Sequence, residues 1–338
     1  MRAIVLETPG RWLSTQVDEP RAPGPGEALV RIRKVGVCGT DFHAFRGEQP
    51  FFSYPRILGH EVSVEIVAVG SQERGLTPGM RCAVEPYFHC GHCPTCRRGK
   101  TNCCVNLKVF GVHIDGGMRE MALVPLAKLH PSSTLSFEQL ALVEPLSIGA
   151  HAVSRGAPSR DEHVLVVGAG PIGLAVTQFA LLTGADVIVM DISPQRLAVC
   201  QHLYPNVTCL DGRADPLVAV QAVMGDDLPT LVFDATGSRQ SMQNAFQYVA
   251  HGGRLVFVGL FQGDITFHDP HFHQRELTIY SSRNATAADF RYVMSSLETG
   301  QVNDAAWITH RATSEDMVEA FSHWLDPASG VMKAMIAW

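Results

Sequence analysis

The stretch HVLVVGAGPIGLAVTQFALLTGADVIVMDIS, residues 163–193, constrains the fold more than any other part of the chain. The run from Val164 to Ala185 carries no charge and would satisfy a membrane-span scan, but its Gly-Ala-Gly-Pro interruption divides it into a buried strand, a tight turn and a helix. Gly168, Gly170 and Gly173 suit a turn that lets a pyrophosphate approach the helix N-terminus at Pro171 and Ile172. Asp191, closing the next apolar run, can accept from ribose hydroxyls and repel a 2′-phosphate, which favours NAD over NADP. Arg196 nearby blurs that preference. Further strand candidates at 231–237 (LVFDATG) and 253–260 (GRLVFVGL) alternate with helical periodicity at 172–183, 194–204 and 239–250. Such alternation predicts right-handed crossovers and a doubly wound parallel sheet over residues 148–283. Val258, Leu260 and Arg283 are further candidate cofactor contacts; Arg283 could instead grip a substrate carboxylate or form an ordinary surface ion pair.

The flanking regions differ. Residues 1–147 mix short alternating runs, such as EALVRIRKVGV and EVSVEIVAVG, with glycine and proline turns, which predicts antiparallel β structure. Residues 284–338 hold helix and strand signals too few for an independent domain, so this tail is expected to complete the first region. The fold class is therefore α/β, with a β-rich domain beside a doubly wound one.

CGHCPTCRRGKTNCC, residues 90–104, holds five of the chain's nine cysteines. The start, MRAIVLETPGRW, does not read as a secretory signal, so the expected compartment is the reducing cytoplasm, where clustered cysteines hold metal more often than they form disulfides. Cys90, Cys93, Cys96 and Cys104 can close a tetrahedron around zinc and leave no position for substrate, which makes the loop a structural site. An iron–sulfur cluster, a redox dithiol and a nucleic-acid-reading zinc ribbon are the competing uses. A net charge of −6 argues against the last. A catalytic metal must then come from elsewhere. Cys38 in VGVCGTDFH and His60 in ILGHEV end apolar runs, and Glu144 or the adjacent Glu61 supplies a carboxylate. Cys, His and carboxylate together leave one zinc position open.

These segments, with EPLSIGAH (144–151, opening on Glu144) and DATG, occur in the order seen in the zinc-dependent medium-chain dehydrogenases of the alcohol dehydrogenase superfamily, and the chain resembles that family throughout its length. The likeness is strongest to the sorbitol, threonine and sugar-acid dehydrogenase branch, where Glu replaces a cysteine ligand. The resemblance implies a GroES-like catalytic domain and a Rossmann domain. It also implies two zinc ions per chain, one catalytic on Cys38, His60 and Glu144 or Glu61, one structural on the cysteine loop. It implies NAD, a small-molecule substrate and a homodimer or homotetramer, with no nucleic-acid or membrane partner. Thr40 resembles the hydroxyl that takes the substrate proton, and His43 the histidine that passes it to solvent. Asp41 and Glu61 suit a role in orienting ligands. Arg283 and His310 add donors suited to a polyol or sugar acid whose secondary hydroxyl is oxidised to a ketone. GGMREM (116–121) departs from the more usual GGFAEY pattern. A simple alcohol or aldehyde dehydrogenase is the rival reading, and a non-enzymatic regulatory protein on the same fold is a weaker one.

Overall fold

Strand His163–Val167 is buried along nearly its whole length, as expected of a strand covered on both faces. In the computed structural model, which describes residues 1–49, 52–71, 75–225, 227–304 and 306–338, it is the first strand of a parallel sheet. Six strands run in the order Thr208–Asp211, Asp186–Asp191, His163–Val167, Leu231–Asp234, Arg254–Phe257 and Thr278–Ser281, every pair parallel. The order reverses between His163–Val167 and Leu231–Asp234, and ligands in open α/β sheets bind beyond the carboxyl ends of strands at such a point. Helices Pro171–Leu182 and Pro194–Leu203 both begin with proline, whose missing N–H costs nothing in a first turn.

This sheet belongs to the unit Pro145–Asn284; the other unit joins Met1–Glu144 to Ala285–Trp338. The first division falls inside helix Phe137–Gly156, at Glu144 and Pro145, three residues before the 147/148 boundary expected from composition. A helix running through the division leaves no change in composition there to read.

Among its described residues, the second unit contains a seven-stranded mixed sheet. Its longest strand, Glu27–Val37, pairs antiparallel with Glu61–Val69, with Met121–Pro125 and with Lys333–Ala337. The tail thus contributes a strand beside Val35 and Val37. The core beneath includes Ile32, Val35, Leu58, Val62, Met118 and Phe321, all essentially inaccessible. No described helix is long and apolar enough to cross a membrane.

Candidate active site and metal centres

The cysteine loop emerges from a short hairpin, Tyr87–Phe88 against Lys108–Val109. The Cys93 sulfur lies 3.4 Å from that of Cys96 and 3.8 Å from that of Cys104, which is 3.6 Å from that of Cys90. A tetrahedron with Zn–S bonds of about 2.3 Å has edges of about 3.8 Å, so the four sulfurs match one ion in size. Cys90 N–H and Asn106 N–H both donate to the Cys104 sulfur at 3.3 Å. The Thr95 hydroxyl and the N–H groups of Cys96 and Val105 draw the Cys93 thiol down to about 5, toward the thiolate a metal requires. Cys103 is exposed and stands outside the four.

The second cluster is built where two strands meet. Cys38 follows strand Glu27–Val37 and opens helix Gly39–Arg46, whose first turn is fixed by the Asp41 carboxylate accepting from Cys38 N–H at 2.8 Å. His60 stands immediately before strand Glu61–Val69, which Glu61 opens and which is entered through Gly59 at φ 90°. Only glycine serves at 59, because a Cβ there would also meet Val35 at 2.7 Å. Donor atoms of Cys38, His60 and Glu61 lie within 4.8 Å of one another. Gly36 makes room for this: a Cβ on it would fall 2.1 Å from Glu61 Oε2.

Two buried carboxylates are held by different devices. Both oxygens of Glu61 accept from Lys333 Nζ, at 2.6 and 2.7 Å, and Lys333 also donates to Val37 O at 3.2 Å. Burial opposes the Lys333 charge, but Glu61 and Cys38 outweigh it and raise its pKa. Glu144 instead accepts from the Tyr87 hydroxyl. Burial pushes the Glu144 carboxyl up to about 7, Glu61 adding to the rise against the pull of His60 and Tyr87. Burial and the Glu144 charge raise the Tyr87 phenol, which therefore stays a donor. At His60 burial works against the imidazolium, yet Cys38, Asp41 and Glu144 hold its pKa well above the ordinary value. His60 Nδ1 and Asp41 Oδ1, 3.9 Å apart, are buried without hydrogen-bond partners. A half-buried thiol beside an imidazole and carboxylates packed away from water, with unmatched polar atoms among them, is the donor set of an open zinc site, and the residues fit such an ion.

Thr40 lies half-buried two residues after Cys38. His43 is on the exposed side of the same helix, its Nδ1 3.1 Å from Glu48. His310 is half-buried on strand Ile308–Thr313, with Nδ1 3.0 Å from the Thr309 hydroxyl. Sequence reasoning missed Lys333 and Tyr87. A charged residue interrupting VMKAMI at an inward position was the available signal for the first. The second had none, since a tyrosine beside a cysteine loop reads as packing.

In the parallel-sheet unit, Gly168 has φ 101°, and a Cβ on Gly173 would lie 1.6 Å from Gly168 O, so the strand–turn–helix junction demands glycine at both. Gly170 faces open space, with only Arg196 Nη1 near, at 3.8 Å. Asp191 accepts from Ala169 N–H at 2.6 Å and from Ser193 N–H at 2.7 Å, which fixes its carboxylate at the end of the strand. Val258 N–H donates to Asp234 O at 2.9 Å, and Leu260 is largely exposed just beyond it. Arg283 is exposed two residues after strand Thr278–Ser281.

Residues 24–134 match the family described as alcohol dehydrogenase GroES-like domain, and residues 171–299 match zinc-binding dehydrogenase. The chain is 43% identical over 324 residues to L-galactonate-5-dehydrogenase of Escherichia coli K12, covering 95% of this chain and 94% of that protein. It is 31% identical over 318 residues to 2-dehydro-3-deoxy-L-galactonate 5-dehydrogenase of Pseudoalteromonas atlantica, covering 93% and 92%. A solved structure of the E. coli CFT073 short chain alcohol dehydrogenase RspB with NADH superposes with a TM-score of 0.93 at 31% identity, over 100% of this chain and 99% of that one. The chain belongs to the zinc-binding dehydrogenases of the alcohol dehydrogenase family, oxidoreductases that join a GroES-like domain to a parallel-sheet domain.

Proposed function

We propose that the protein oxidises a secondary hydroxyl of a polyol or sugar acid to the ketone, with zinc and NAD. The observation that carries this reading is the meeting of half-buried Cys38 with buried His60 and Glu61, near enough to buried Glu144 for His60 and Glu61 to act on its charge, in a chain whose relatives include sugar-acid dehydrogenases. Zinc at that site supplies Lewis-acid chemistry and NAD the hydride acceptor. Cys38, His60 and Glu61 would hold the ion, with Lys333 balancing the Glu61 charge and Asp41 facing the far nitrogen of His60. Glu144 is the alternative carboxylate ligand. In the arrangement favoured here its Oε2 accepts from the substrate, Oε1 being engaged by Tyr87. The Thr40 hydroxyl takes the reacting proton, and His43, paired with Glu48 in solvent, hands it to water. Cys90, Cys93, Cys96 and Cys104 would hold a second zinc with a structural role. Gly168, Gly170, Pro171, Ile172, Gly173, Asp191, Arg196, Val258, Leu260 and Arg283 would bind the nucleotide. A homodimer or homotetramer in the reducing cytoplasm suits a thiolate-rich enzyme of this family.

A polar site that hydrogen-bonds several hydroxyls rejects analogues that leave its buried groups unpaired, at about 1–3 kcal/mol each. An NADH-absorbance screen of aldonic acids, hexitols, pentitols, threonine and short alcohols is therefore expected to give the highest kcat/KM with a polyhydroxylated compound. A simple primary alcohol outperforming all of them would establish the rival alcohol dehydrogenase reading.

Asp191 carries the cofactor preference. Asp191→Ala removes a ribose acceptor and a repulsive charge, so KM for NAD is expected to rise by about 10- to 100-fold, from ~1–3 kcal/mol of lost hydrogen bonding, while NADP turnover improves relative to NAD. Steady-state kinetics with both cofactors checks this. A wild-type enzyme that already prefers NADP would contradict the assignment.

A further inference from the structure

We infer that Tyr87 is a positioning residue that ties the four-cysteine loop to the Glu144 carboxylate, so that order in the loop decides where Glu144 stands in the catalytic cluster. The inference rests on the reading of Glu144 as part of that cluster. Tyr87 and Glu144 are 3% and 5% exposed, and the phenol hydroxyl donates to Glu144 Oε1. Cys90 follows Tyr87 by three residues. The hairpin that carries Tyr87 pairs it with Val109, so closing the loop on its four sulfurs fixes the strand on which Tyr87 sits.

The other side of Tyr87 is anchored as well. Glu85, two residues upstream and essentially inaccessible, accepts from Lys128 Nζ and lies 3.1 Å from His130 Nε2. Lys128 Nζ is also 2.9 Å from His89 Nδ1, the residue next to Cys90. Backbone bonds from Glu85 N–H to Lys128 O at 2.8 Å and from Phe110 N–H to Pro86 O at 2.9 Å complete the frame. The Tyr87 ring packs edge-on against Phe290 at 6.3 Å and 82°, and His130 stacks on the same Phe290 at 5.2 Å. With two rotatable bonds and both flanks pinned, the hydroxyl has one place to go, and Glu144 is there. A long carboxylate side chain gains its working geometry from such a fixed donor, and displacements near 1 Å at a reacting centre cost on the order of 100-fold in rate.

The test uses the full-length protein with the cysteine loop loaded with zinc and Co2+ placed in the Cys38–His60 site. Tyr87→Phe keeps the ring and removes the hydroxyl. It is expected to retain both metals, to lower kcat by about 10- to 100-fold with KM within about 3-fold, and to shift the visible cobalt bands. Glu85→Gln, which loosens the upstream anchor, is expected to move the same bands in the same direction. Cys103→Ala, outside the four sulfurs, is the control and keeps the wild-type spectrum. A wild-type spectrum and kcat in Tyr87→Phe would overturn the inference alone. Failure of cobalt to bind at Cys38 and His60 in the wild-type protein would overturn the functional reading and this inference with it.

Discussion

Replacing Cys38 by Ala is expected to lower kcat/KM by at least about 1,000-fold, equivalent to ~4 kcal/mol of lost transition-state stabilisation, while the protein remains folded. The size of the effect follows from the donor count: with Cys38 gone, His60 and one carboxylate cannot hold a zinc ion at working concentrations. Folding survives because the surroundings do not hang on that sulfur. Strand Glu27–Val37 keeps its three partner strands, and the Asp41 carboxylate still caps the helix through the residue 38 N–H. Zinc titration, circular dichroism and kinetics on one preparation check the prediction. A variant that loses its fold along with its activity would place Cys38 in the framework instead of the reaction.

Cys93→Ala is expected to reverse that pattern, with stability failing first. Few residues between His89 and Leu107 are buried; Cys93, Asn102 and Cys104 are the inaccessible ones. Apolar packing therefore cannot order the loop, and the binding energy of a metal held there would be folding energy, about 10–16 kcal/mol for structural zinc in zinc-finger peptides. With three sulfurs left, limited proteolysis within residues 89–107 is expected to accelerate at least ~10-fold, and the thermal midpoint to fall. Chelator treatment of the wild type should reproduce both effects. Unchanged protease resistance after Cys93→Ala would contradict a metal-held loop. Activity is expected to fall afterwards, through Tyr87 and Glu144.

Local chemistry made much of this legible in the amino-acid sequence. The turn at Gly168–Gly173 is dictated by close approach of backbone to backbone, a need only glycine meets, and Asp191 closes the neighbouring strand, so a short window contains the whole argument. The cysteine loop is likewise local: its four sulfurs lie within fifteen residues, a spacing that lets them converge without help from distant parts of the chain. The division of labour between Glu61 and Glu144 was not legible, because it depends on partners far away in the chain. Lys333 reaches Glu61 across 272 residues, and Tyr87 reaches Glu144 across 57. No periodicity encodes such pairings; they arise when the tail adds strand Lys333–Ala337 beside Val37 and when Tyr87–Phe88 pairs with Lys108–Val109. Glu85, Lys128 and His130 escaped notice for the same reason: each is an ordinary polar residue until burial makes its partner obligatory.

The two clusters are argued to do separate jobs, one closed and holding the fold, the other open and holding the reaction, and metal content separates these claims most directly. Inductively coupled plasma mass spectrometry of the purified protein is expected to find two zinc ions per chain in the wild type and one in Cys38→Ala. One zinc in the wild type, or iron accompanied by labile sulfide, would contradict the account.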